Sequence, residues 1–232
     1  AIGKGIRKKL EVETSNEDGF YIAIFDGSRI VRPDMNAEKD DVLRTVYIRE
    51  AVEDYAAKVK EGKVERPHRF GCSGIDGVAF APAIGSSNAA KKFLYVAYGI
   101  YGDTARSDND HQVILKYDVG DWGKYAQKLS QDNLHHSGPK KPLEKYFVKT
   151  GNTRYGIQNL AYDPYTGNLF PAVYPGAKAQ FPNYNLFVID DNKKPVKGYI
   201  TADNKKIKVK KLSLLEAGPK EPVSGIRGWH FK

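Results

Sequence analysis

Apolar positions along this chain gather into short runs, and one phrase punctuates them. It reads Gly74-Ile75-Asp76-Gly77-Val78-Ala79-Phe80-Ala81-Pro82 and returns as Gly156-Ile157-Gln158-Asn159-Leu160-Ala161-Tyr162-Asp163-Pro164. A third copy, Gly225-Ile226-Arg227-Gly228-Trp229-His230-Phe231, stands near the last residue. Each copy is a Gly-Ile start followed by an apolar run of the kind that makes one buried strand. A second run follows the first two copies, at Lys92–Tyr98 and at Asn168–Tyr174. In the latter, Pro171 has no N–H to donate, which predicts a bulge or partly unpaired backbone. A third run ends on aspartate in the same register at Phe20–Asp26, Gln112–Asp118 and Tyr184–Asp190, and a polar turn follows each time. Outer strands are expected at Glu144–Lys149 and Lys206–Leu215, and a short early strand at Ile6–Val12.

One segment departs from this rhythm. Leu43, Tyr47, Ala51, Tyr55 and Val59 recur every fourth residue, with Asp40 and Asp41 before them and Lys58, Lys60 and Gly62 after. Acidic residues at the start and basic ones at the end suit the helix dipole, so one amphipathic helix is expected over 40–62. The strand-like stretch Thr45–Arg49 leaves room for a later start. Its aromatic stripe is expected to pack on a sheet.

The units read as inner strand, second strand, long loop, third strand, outer strand, over roughly 70 to 80 residues each. The expected fold is therefore all-β: β-propeller-like four-stranded antiparallel blades with one inserted α-helix. Residues 1–232 form a single propeller-type region on this reading. It comprises a partial blade (1–39), the helix (40–62), two blades (70–150 and 151–220) and the first strand of a further blade (221–232). Such a set does not close a ring of about four to eight blades. A further chain segment or a second chain is expected to complete it. A smaller antiparallel sandwich carrying one helix is the alternative.

Composition narrows the classes. The chain has 232 residues, a single cysteine (Cys72) and a net charge of +9. One thiol excludes an internal disulfide framework and a cysteine-based zinc cluster. No apolar stretch approaches the roughly 20 residues that span a bilayer. The positive excess lies mostly in the lysines between Lys193 and Lys211, where Ile207-Lys208-Val209-Lys210 alternates like a half-exposed strand. Lysine protects edge strands from pairing with other chains, and no RNA-binding signature or zinc finger accompanies the run. Nucleic acid is disfavoured on that basis. Soluble secreted and cytoplasmic settings are not distinguished.

In a propeller the inner strands converge on the central channel, so the positions that differ within the repeated phrase are the candidate ligand-binding residues. These are Asp76, Gln158, Asn159 and Arg227, with Arg69, Arg154 and His230 close by in sequence. Arginine makes forked hydrogen bonds to carboxylate or phosphate, and amides match hydroxyls. The same groups could instead satisfy one another. Asp103, Asp108 and Asp110 form an oxygen-rich loop that offers a candidate calcium site, although the EF-hand spacing is absent and aspartate is an ordinary turn former. The pair His135-His136 lacks further assignable zinc ligands. No Gly-x-Ser-x-Gly elbow, Walker loop or His-Glu-x-x-His motif is present. Fifteen tyrosines are available for recognition, and Tyr98, Tyr101, Tyr155, Tyr165, Tyr174 and Tyr184 fall in or beside predicted loops. Exposed rings beside amides and acids suit sugars.

The pattern Gly-Ile-x-x-apolar-Ala-aromatic-x-Pro, followed by strands such as Leu94-Tyr95-Val96-Ala97, resembles blades of uncharacterised bacterial propeller proteins. These are broadly of the phytase-like and gluconolactonase-like type, and the resemblance covers about residues 70–232. It implies a ligand site at the mouth of the channel and, in the lactonase-like group, a divalent ion and hydrolase activity. The Ser-Pro-Asp-Gly motif common there is absent. Two functions follow. The first is a binding or scaffold propeller that takes a small molecule, glycan or protein. The alternative is a metal-assisted hydrolase of phosphoester or lactone substrates.

Overall fold

The computed structural model describes residues 19–36, 39–67, 74–86, 90–100, 102–128, 130, 133–202 and 204–231. The strand expected at Ile6–Val12 and the residues His68, Arg69, Cys72 and Tyr101 lie outside them. The chain divides into two compact units, one of residues 1–53 with 120–141, the other of residues 54–119 with 142–232.

In the first unit β1 (Tyr21–Phe25) pairs antiparallel with β2 (Leu43–Tyr47), Tyr21 opposite Tyr47. The Thr45 N–H donates to the Gln127 carbonyl at 2.8 Å, and the Gln127 N–H returns the bond at 3.1 Å. The 40–62 helix is thus corrected. Thr45, Val46 and Tyr47 are β-branched or aromatic, favour extended backbone, and are buried. The helix α1 runs only over Arg49–Ala56. Beyond it, within the second unit, β3 (Lys58–Glu61) and β4 (Val64–Pro67) form a hairpin. Gly62, at φ +63°, supplies the left-handed residue of its turn.

The second unit carries six paired strands in the order β11-β12-β8-β7-β6-β5. Four make an antiparallel meander: β5 (Gly77–Ala81), β6 (Phe93–Gly99), β7 (His111–Tyr117) and β8 (Glu144–Lys149). The hairpin of β11 (Val196–Ala202) and β12 (Lys205–Lys211) joins β8 in parallel, through Lys210 and Lys211 alone. Separately, β9 (Thr153–Tyr162) pairs with β10 (Leu169–Pro175). Its register shifts after Ala172, just past Pro171, where irregular pairing is expected. Single bridges extend this ladder, Leu169 to Ile189 and Ala172 to Leu186, then Ile189 to Leu214 and Leu186 to Trp229. Among the described residues the fold is mostly β with one α-helix, in agreement with the expected all-β class.

The repeated phrase has a backbone reason for its glycine. Gly74, Gly156 and Gly225 sit at φ +136°, +84° and +70°, where a Cβ is strained. The first two copies pack on each other. A Cβ on Gly77 would lie 2.9 Å from the Ile157 side chain and 3.2 Å from Leu160. Ile157, Leu160 and Ile226 share one core cluster with Tyr95, Ile114, Val148, Phe187 and Ile189. Within this unit Asp54, in the last turn of α1, accepts from Tyr98 Oη at 2.5 Å and from Lys145 Nζ at 2.7 Å. Among the described residues no helix is long and apolar enough to cross a membrane.

Candidate functional site

Two loops of the second unit interlock. After β6 the chain turns at Asp103, whose carboxylate accepts from the Ala105 N–H at 2.9 Å. Arg106 then grips Asp108 with two N–H groups, each at 2.7 Å. After β10, the loop of the second copy delivers Lys178, which is only 2% exposed. Its ammonium donates to Asn109 Oδ1 at 2.6 Å, Asp110 Oδ1 at 2.6 Å and the Arg106 carbonyl. An ammonium carries three donors, and these three acceptors use them all. Burial pushes the Asp110 carboxyl above the usual carboxylate range, against the opposing pull of Lys178.

The three aspartates proposed for calcium therefore have separate partners. Asp108 is neutralised by Arg106, Asp110 by Lys178, and Asp103 folds back on its own turn. Two protein cations, Arg106 and Lys178, take up two of the three carboxylates that the sequence offered to a metal. Among the described residues, no group of three or more histidine, cysteine, aspartate or glutamate side chains is arranged to hold a metal ion.

Beneath the loops lies a layer of buried amides and hydroxyls. Gln112, at the head of β7, donates through Nε2 to Thr150 Oγ1 at 2.9 Å and to Thr153 Oγ1 at 3.2 Å. Thr153 Oγ1 also accepts from the Gly156 N–H at 3.1 Å. Asn152 Oδ1 accepts from the Ala177 N–H at 3.1 Å. Asn183 clamps the second loop by donating to the carbonyls of Lys178 and Phe181 at 2.9 and 3.1 Å. Each of these amides keeps one buried atom unpaired: Gln112 Oε1, Asn152 Nδ2 and Asn183 Oδ1. His111 Nε2 is unpaired too, and burial, with Lys211 and Lys149 nearby, draws the imidazole pKa down to about 4. A buried polar atom left without any partner costs on the order of 1–3 kcal/mol.

This polar layer is continuous along the chain with an aromatic surface. Thr153 pairs with Pro175 in the β9–β10 register, and Gly176 lies against Asn152. Just outward, Tyr155 and Tyr174 meet edge to face at 5.8 Å between centroids. They remain 48% and 56% exposed. Arg154 and Asn159 are exposed on the same strand. Gln158 donates to the Tyr155 carbonyl at 3.2 Å.

The remaining candidates stand elsewhere. Asp76 is exposed just before β5. Arg227 donates to the Gly218 carbonyl at 3.1 Å and lines a separate groove with Lys149, Lys193 and Lys220. His230 packs edge-on against Tyr184 at 5.0 Å. In the first unit, His135 is held structurally. Its ring lies 2.8 Å from Thr45 Oγ1 and its carbonyl accepts from Tyr21 Oη at 2.8 Å, while His136 packs on Tyr47. Arg154, Gln158 and Asn159 thus lie along the one strand β9, while Asp76, Arg227 and His230 stand on other elements. Lys178, Gln112 and Asn152 are the functional candidates that sequence reasoning missed. Laying the loop after β10 beside the loop after β6 shows a lysine facing an acidic partner. That juxtaposition was the available signal.

No protein-family model matches this chain, and neither a curated protein nor a solved structure is significantly similar to it.

Proposed function

We propose that the second unit is a binding module built from two propeller-type blades and that it recognises a polyhydroxylated ligand, a glycan or free sugar, at the Tyr155–Tyr174 surface. The observation that carries the reading is the exposed edge-to-face tyrosine pair, flanked on its own strand by Arg154, Gln158 and Asn159. Aromatic faces stack on the apolar side of a sugar ring, while amide and guanidinium groups take its hydroxyls. The interlocked loops beneath supply rigidity, which lowers the entropy cost of binding.

Support for the blade reading is the recurrence of one strand order. β5-β6-β7-β8 is repeated by β9, β10, the Leu186–Ile189 stretch and Leu214. Hydrogen exchange tests it, with slow exchange expected at Leu186, Ile189 and Leu215 N–H. Exchange there as fast as in the turns would remove the blade reading.

Binding is tested by titrating mono- and oligosaccharides and following tyrosine fluorescence. Saturable binding that Tyr155→Ala abolishes, with the fold intact by circular dichroism, is the expected result. Binding unchanged in both Tyr155→Ala and Tyr174→Ala would refute this site.

A further inference from the structure

The groove around Arg227 is chemically unlike the tyrosine surface. It is open to solvent and measures about 450 Å³, the size of a small-molecule site, and Lys149, Lys193, Lys220 and Arg227 line it against the single carboxylate of Glu216. That leaves a net of three positive charges. Lys193 is committed to Glu216, whose carboxyl it holds below the usual range. No carboxylate among the described residues forms an ion pair with Lys149, Lys220 or Arg227 within 4.0 Å.

One wall is pre-shaped. The Glu221 carboxylate accepts the N–H groups of Val223, at 3.0 Å, and Ser224. The Glu221 main chain closes the loop by exchanging bonds with Ile226 and Gly225, each at 2.9 Å. Arg227 is anchored by one hydrogen bond to Gly218. The opposite wall, Leu212 to Leu214, is tied down where the Asp190 N–H donates to the Ser213 carbonyl at 3.0 Å. Gathering four cations around the one carboxylate of Glu216, which Lys193, Arg227 and Lys220 all influence, leaves an excess of positive charge that a bound anion relieves.

We infer that this groove is an anion site for a phosphoryl group, either free phosphate or the head of a small phosphate monoester. A dianion with three acceptor oxygens suits several lysine point charges around one guanidinium fork better than a planar carboxylate does. The volume admits a small molecule. This site is separate from the tyrosine surface and does not depend on it.

The test is calorimetric titration at constant ionic strength with inorganic phosphate, glucose 6-phosphate and citrate, followed by phosphorus NMR. The expected result is 1:1 binding of a phosphate species, weakened about tenfold or more in Arg227→Gln. Lys220→Gln, which removes an exposed ammonium that makes no hydrogen bond to the described residues, should weaken it as well and separates loss of the site from loss of the fold. Tighter binding of glucose 6-phosphate than of phosphate assigns the site to monoesters, and the reverse to the free ion. No saturable binding in the millimolar range, equal competition by citrate, or affinity unchanged in both variants would overturn the inference. The tyrosine variants should bind phosphate normally, so failure here and failure of the sugar reading are told apart.

Discussion

The stretches that follow the first and second Gly-Ile phrases pair with different regularity. In the first, β5 to β8 pair over five or more residues at each junction. In the second, β9 and β10 pair with register shifts, and the next two positions are held by single bridges. The difference follows from what each copy inserts. Pro171 withholds a ladder donor in β10 while its carbonyl still accepts from Phe187 N–H at 3.0 Å. The connection between the third and fourth positions of the second copy carries the lysine hairpin β11–β12, which draws Lys210 and Lys211 away to β8. The less regular copy also carries Lys178, Asn152 and the tyrosine pair. The regularly paired stretch packs against the irregular one, with Gly77 against Ile157 and Leu160.

The strongest way to break the comparison is to unlock the loops that join the copies. Lys178→Met would leave Asp110, Asn109 and the Arg106 carbonyl buried without their cation. The expected loss is about 3–5 kcal/mol, read by urea denaturation. Asp110→Asn on that background should recover part of it, because the uncompensated charge is removed. A double variant no more stable than Lys178→Met would show that the pair is not coupled.

Next comes the glycine of the phrase. Gly156→Ala meets both a positive φ and the Gly99 backbone, whose N lies 2.2 Å from the new Cβ. A cost of about 3 kcal/mol is expected from strain plus overpacking. Gly225→Ala has the same strain but only Lys220 Cε at 3.9 Å, so it should cost about 1–2 kcal/mol. Equal costs would mean that backbone strain alone, and not the approach of the two copies, explains the glycine.

His111 sharpens the comparison through pH. Its folded pKa is about 4 against an ordinary 6.5, so between those values the unfolded chain binds a proton that the folded chain does not. Acidification through that window therefore removes stability, by on the order of 3 kcal/mol when complete. His111→Gln should flatten the difference in stability between pH 7 and pH 4. An unchanged slope would place the acid sensitivity on other groups.

Much of this architecture was legible in the chain. Alternating apolar runs and the phrase itself located β5, β6, β7, β8, β9 and β10, because strand periodicity and glycine punctuation are local signals. The helix over 40–62 was overextended because fourfold spacing of Leu43, Tyr47 and Ala51 fits a helix, yet the partner strand Tyr21–Phe25 claims Leu43–Tyr47. The outer strand expected at Lys206–Leu215 divides between β12 and the Leu214 bridge, a choice decided by distant partners. The acidic loop was visible as oxygen ligands, but the cation that fills it comes from 68 residues away. Spacing within one loop carries no information about that.

The smallest effect concerns the lysine hairpin. β11 is the edge of the sheet and contains one lysine, while β12 contains most of the others. From Lys205 to Val209, however, β12 pairs only with β11, so its other edge has no strand partner among the described residues. Lysine placed there keeps two such ribbons from pairing, which is why the charge sits on the nominally interior strand. Lys206→Gln with Lys208→Gln should change monomer stability by less than about 0.5 kcal/mol, since these side chains are exposed. The double variant should nonetheless self-associate more readily at raised salt or concentration, measured by light scattering. If it stays as monodisperse as the parent, the lysines of β12 are not edge protection, and their charge calls for an anionic partner of the hairpin itself.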